Sequence, residues 1–269
     1  MKNSILSLAV TIFALGISQS MAADSAATVT EAVNQVVHGS SQATDTAPAT
    51  PGTRLQDGEY LKTGVKSRAE LELANQTITR LGANTIFNYS LANNEVDLQA
   101  GTILFSKPKD GQQMNIKTAS VAAAIVGTTG FVSVHGHQVL FGLIEGHAVL
   151  TIGGIRYHVG AGETLQFNNG TPPQIHSFNV PLLLKTSPLI TNFKPLPNQP
   201  YIDREVAEYN NLASRGYIES GSGPTVYGLL NNLNSGTPIK PPAFDSAGNA
   251  HSQANTPPPP AFVMSGSSF

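Results

Sequence analysis

The chain has 269 residues, with 15 Lys or Arg against 17 Asp or Glu, a formal net charge of −2, and neither Cys nor Trp. Its basic residues are scattered, so no patch exists that could follow a phosphate backbone, and nothing points to nucleic acid as a partner. Without Cys there is no disulfide frame, no thiolate metal ligand and no lipoprotein anchor.

The N-terminus reads as an export signal. Lys2 precedes an apolar run from Ile5 to Ile17, and Ser20-Met21-Ala22 places small residues at the two positions read by a signal peptidase, so cleavage is expected after Ala22. The run is shorter than the ~20 residues a membrane-crossing helix needs, and no later stretch reaches that length. A periplasmic or secreted, soluble mature protein is the expectation.

Beyond the signal, short β-type segments follow one another. Thr28 to Val37 fits a first strand, and Gly39 to Gly52 a surface loop of Ser, Thr, Ala and Pro. Arg68 to Leu73 alternates strictly, which turns Ala69, Leu71 and Leu73 inward and Glu70 and Glu72 outward. Asn75-Gln76 turns the chain into Thr77 to Leu81, and Gly82-Ala83-Asn84 turns it again into Thr85 to Tyr89. From Asn115 to Phe167 the pattern is densest, with predicted strands at 130–134, 138–144, 147–152, 155–159 and 163–167, each bounded by Gly. Val139 to Ile144 is apolar on both faces, as in a central strand covered from both sides. Ile155 to Val159 alternates and reads as a half-exposed strand, and Gly153-Gly154 supplies the positive φ angles of a two-residue hairpin. The fold class is all-β, a β-sandwich or β-helix-like stack.

A series of short motifs then carries a family resemblance. Gly52 to Glu59, Leu61-Lys62-Thr63-Gly64, Ser67 to Leu71, Ile78 to Asn84 and Leu98 to Gly101 are followed in order by Lys117-Thr118-Ala119, Gly127-Thr128, Glu145-Gly146 and Ala161-Gly162-Glu163. In this succession, from about Thr28 to Phe167, the chain resembles the FecR domain family, named after a periplasmic regulator of iron-dicitrate uptake. Asn75-Gln76 stands where the family often has Asp-Gly, and Gly127 to Phe131 is longer than the family's Gly-Thr-x-Phe. Membrane-spanning members carry an anti-sigma region and a transmembrane helix ahead of this domain. Here only the signal peptide precedes it, so anti-sigma activity is not carried over.

After Phe167 the prolines at 172, 173, 181, 188, 195, 197 and 200 break any ladder, because proline lacks the strand donor. One short helix is expected at Asp203 to Ala213, capped by Asp203, with Val206, Tyr209 and Leu212 at helical spacing. From Ser220 onward Gly, Ser, Asn and Pro dominate, ending in Pro257 to Pro260, a composition that offers too little apolar surface to offset ordering entropy. The organisation read from the sequence is signal peptide 1–22, FecR-like β domain 23–170, Pro-containing extension with a short helix 171–219, and low-complexity, disordered tail 220–269.

Candidate chemistry is sparse. His135-Gly136-His137 places two imidazoles on one strand side, and His147 or His158 could complete a metal site by strand pairing. Cupins use such a pair, but Phe141 and Gly142 stand where their next ligand, a Glu, belongs. A polar hairpin tip centred on Gly136 accounts better for the motif. Glu70 and Glu72 form a carboxylate pair on a strand, read as a solvated face and not as glycosidase machinery. Gly127 to Gly130 lacks the Lys and helix of a phosphate loop, and Ser220 to Gly223 is a flexible spacer. No nucleophile elbow is present. The sequence thus predicts a protein without catalytic, metal or cofactor residues, whose partner is another envelope protein. An envelope structural or glycan-binding protein is the second reading, and a metal-dependent enzyme using the His cluster is the third.

Overall fold

The computed structural model describes residues 25–40 and 46–216. The signal peptide, the tail from Ser220 and its polyproline run lie outside the described residues. Seventeen strands come first: β1 (Ala27–Val33), β2 (Val36–Ser40), β3 (Ala47–Pro48), β4 (Arg54–Leu55), β5 (Glu59–Thr63), β6 (Arg68–Leu73), β7 (Ile78–Leu81), β8 (Ile86–Ser90), β9 (Glu95–Ser106), β10 (Met114–Lys117), β11 (Ala122–Ile125), β12 (Thr129–His135), β13 (Gln138–Glu145), β14 (His147–Ile152), β15 (Ile155–Gly160), β16 (Glu163–Asn168) and β17 (Gln174–Ser177). Three helices follow, α1 (Val180–Thr186), α2 (Pro188–Thr191) and α3 (Gln199–Ser214).

Strand pairing resolves into two sheets that share one strand. Sheet I runs β4-β1-β6-β7-β9-β12-β13-β16-β17. Sheet II runs β3-β2-β5-β8-β9-β10-β11-β14-β15. Every pair is antiparallel except β9 with β10. The 12-residue β9 belongs to sheet II up to Ala100 and to sheet I from Gly101 onward. Gly101 has φ +87°, and a Cβ there would lie 2.4 Å from the Thr85 Cα, so only glycine lets the chain pass from one sheet to the other at this point.

The inner faces of the two sheets enclose the main core. Leu71, Leu81, Ile103, Phe105, Val132, Val139 and Phe141 from sheet I meet Leu61, Phe87, Val96, Leu98, Ile116, Ile125 and Leu150 from sheet II. β13 is buried along Val139 to Glu145, and its alternation divides it between two cores: Val139, Phe141 and Leu143 face sheet II, while Leu140 and Ile144 face the helices. This matches the double-sided strand read from the sequence. The Gly153-Gly154 hairpin also forms, with φ 56° and 82°.

Several boundaries differ from expectation. The single strand expected over Thr28 to Val37 is two strands in different sheets, because Asn34 adopts φ 62° and turns the chain between them. On β15 only Val159 is fully buried, while Ile155 is 60% exposed at the strand's outer end. The extension holds three helices where one was expected. Its prolines start helices as well as end strands: Pro181, Pro188 and Pro200 all lie in the first two positions of a helix, where the missing N–H costs nothing. Asp203 is inside α3, whose N-cap is Asn198.

These helices cover the outer face of sheet I and build a second core. Phe178, Val180, Leu183, Leu189, Leu196 and Ile202 pack on Leu104, Phe131, Leu140 and Ile144. Phe131 points into this second core and meets Phe178 edge-on at 5.7 Å. Gly142, opposite Phe131 in register, makes room for its ring, since a Cβ there would come within 2.3 Å of it.

Candidate functional site

Buried polar groups hold the helices to sheet I. Arg80 on β7 is 1% exposed, and its guanidinium donates to Glu70 Oε2 at 2.8 Å, to the Leu189 carbonyl at 2.9 Å and to the Lys194 carbonyl, with the Phe193 ring 4.8 Å away. Burial pulls the Arg80 pKa down while the Glu70 partner opposes that shift. Glu70 also accepts from Thr30 Oγ1 at 2.9 Å. The expected solvated pair is therefore split: Glu72 is exposed, but Glu70 is enclosed because the extension covers its face. A second clasp centres on Asn198, whose amide donates to the Lys107 carbonyl at 2.9 Å and to Glu145 Oε1 at 2.9 Å. Glu145 accepts in turn from Lys109 Nζ at 2.9 Å. Buried Lys107 donates to both Asp110 oxygens, and this bond holds the Asp110 carboxyl below its usual range.

The histidines do not converge. His135 ends β12, Gly136 turns the chain at φ 56°, and His135 accepts or donates at 3.1 Å with Ser133. His147 and His158 lie instead on sheet II, stacked with ring centroids 5.4 Å apart and ring nitrogens at 3.2 Å. His137 and His147 stand at opposite ends of β13, a separation of roughly 25 Å for a strand of that length. Among the described residues no group of three or more His, Asp or Glu is placed to hold a metal. Gly127 to Gly130 leads directly into β12, with no helix after it to receive a phosphate.

Among the described residues sheet II has no such cover on its outer face, and there the surface dips. Cross-strand registry places Lys117, Ala122, Thr151 and Arg156 in one row and Asn115, Ala124, Val149 and His158 in the next. Since β11 contributes only methyl groups between longer side chains, a groove of about 870 Å³ forms over it. Its ends are lined by Glu95, Gln113, Val126 and His147, with Lys109 at one side. No sequence motif marks this groove. No strand was expected at β11, whose alternation sets Ala123 and Ile125 inward and Ala122 and Ala124 outward.

The two sheets also end unequally. At one end they close with β3 and β4, each two residues long; at the other they finish in β15 and β17, which pair on one side only among the described strands. Both leave a large apolar residue in the open, Ile155 at 60% and Ile175 at 43%. Beside β17 a smaller cavity of about 220 Å³ is lined by Glu163, Ser177, Glu205, Glu208 and Tyr209. Burial, assisted by the charge of Glu145, raises the Glu205 carboxyl above its usual value.

Comparison with known proteins bears on the domain. Residues 59–149 match the family described as FecR protein. No curated protein is significantly similar in sequence. Two crystal structures of a candidate anti-sigma factor from Parabacteroides distasonis ATCC 8503 are similar in part. One shares 12% identity at a TM-score of 0.41, over 44% of this chain and 59% of that one. The other shares 12% identity at 0.42, over 46% and 63%. The similarity therefore spans about three fifths of their length. The segment matched to the FecR family, 59–149, runs from the start of β5 into β14 and is set within a larger two-sheet fold.

Proposed function

We propose that this chain is a non-enzymatic protein-interaction module of a bacterial envelope, exported by its N-terminal signal and acting in signal sensing or regulation. The observation that carries this reading is the match of residues 59–149 to the FecR family, together with the two strands beyond that segment, β15 and β17, that end the sheets among the described residues and expose Ile155 and Ile175. A partner strand added to β15 or β17 gains main-chain hydrogen bonds along the edge, while Ile155 and Ile175 supply apolar contact. Lys2, the apolar run to Ile17 and Ser20-Met21-Ala22 support export to the periplasm or exterior.

In-envelope crosslinking of the full chain tests the reading. A photoreactive residue placed at Ile155 or Ile175 is expected to trap a protein, and a chain lacking 220–269 is expected to trap it still. Loss of the crosslink on tail deletion, with circular dichroism unchanged, would move recognition to the tail. Sedimentation with purified sacculi and no protein crosslink would favour the glycan-binding alternative.

A further inference from the structure

We infer that His147 and His158 form a two-imidazole site for a divalent late transition metal of the zinc class, on the outer face of sheet II. This goes beyond the interaction reading above and stands independently of it. His135 and His137 take no part, since they flank the turn between β12 and β13. The site rests instead on the approach of two ring nitrogens.

β14 and β15 pair His147 with Gly160 and Val149 with His158, while Ala148 and Val159 between them face the core. The two exposed imidazoles are therefore diagonal neighbours on one face, a relation that long side chains can bridge. His147 Nε2 and His158 Nδ1 stand 3.2 Å apart, with the rings stacked at 30°. Two nitrogens held ~2.0–2.1 Å from one ion at an angle of about 100° have this same separation, so small ring rotations turn the contact into a chelate.

Proton placement permits this. One of the two facing nitrogens donates to the other, and chelation requires that proton to sit on the second nitrogen of its own ring. His147 Nδ1 and His158 Nε2 bond no other group among the described residues, so neither tautomer is locked. By contrast, His135 is engaged by Ser133 and His176 by Gln174. The surroundings also leave room. Gly160, opposite His147, has no side chain, which leaves the remaining coordination positions open to water. Glu163 Oε2 accepts from Gly160 N at 2.8 Å and lies 3.5 Å from where a Gly160 Cβ would be, and Glu95 lines the same groove as His147. Against these carboxylates stand Arg156, two residues from His158 on the same face, and Lys109, already paired with Glu145. Imidazole donors select zinc, nickel or copper over magnesium and calcium, which take oxygen ligands.

The test is isothermal titration calorimetry of the full chain with Zn²⁺, and with Mg²⁺ as the hard-ion control. The chain is expected to bind Zn²⁺ and to give no response to Mg²⁺. His147→Gln and His158→Gln each leave a single imidazole and are each expected to weaken Zn²⁺ binding at least tenfold, whereas His137→Gln leaves it unchanged. All three positions are exposed, and circular dichroism verifies the fold of each variant. No Zn²⁺ binding, equal binding of Mg²⁺, affinity that survives either His147→Gln or His158→Gln, or a loss on His137→Gln as large as theirs overturns the inference.

Discussion

The outer faces of the two sheets solve the same problem in opposite ways. Sheet I turns Leu104, Phe131, Leu140 and Ile144 outward, and the chain covers them with its own α1, α2 and α3. Sheet II turns Asn115, Lys117, Ala122, Ala124, Thr151 and Arg156 outward and has no covering element among the described residues. The contrast teaches where function can reside. A face built of large apolar residues needs a permanent cover, because each such side chain is worth about 1.5–3 kcal/mol when removed from water. A face of methyls and charges is stable in water and needs no such cover.

Breaking the cover should give the largest effect. Arg80→Ala leaves Glu70 enclosed without its cation and frees the Leu189 and Lys194 carbonyls, and is expected to cost about 3–5 kcal/mol in urea unfolding. Ile202→Ala opens a void under α3, which is expected to cost about 2–5 kcal/mol. Hydrogen exchange in that variant should accelerate in the helices and in β13 before it does so in β10 and β11. A smaller effect is expected from His135, whose imidazole burial holds below its ordinary value of about 6.5. As pH falls, the unfolded chain takes up this proton first, so the stability present above about pH 6.5 is lost progressively toward the lower folded value. His135→Gln should flatten that part of the acid slope in thermal melts between pH 7 and 5. On the open face, Thr151→Ala should shift stability by no more than about 0.5 kcal/mol.

Strand positions were legible because glycine punctuation and alternation coincide, as in Gly153-Gly154 between β14 and β15 and in the two-sided run of β13. The FecR resemblance came from ordered motifs read over about Thr28 to Phe167, of which the family match covers 59–149, leaving Gly52 to Gly58 and Ala161-Gly162-Glu163 outside it. Three features were hidden. The pass of β9 between sheets turns on Gly101, which looks like any turn glycine until Thr85 is seen against it. Glu70 alternates like a surface residue, and only a helix more than a hundred positions away encloses it. The prolines of the extension resembled strand breakers, although Asn179 before Pro181 and Ser187 before Pro188 are also the residues expected ahead of a helix. The groove was illegible for a different reason: its floor is defined by what Ala122 and Ala124 lack relative to neighbours that come together only through pairing.

Because the chain has no Cys, one introduced thiol reports on one place. The most direct measurement is therefore the alkylation rate of Ala124→Cys and of Leu140→Cys in otherwise unchanged chains under native conditions. Ala124→Cys, on the open floor of sheet II, is expected to react near the rate of the same chain in urea, and Leu140→Cys, under the helices, at least a hundredfold more slowly than its unfolded form. Equal native rates at the two positions would contradict the account of one sealed and one open face.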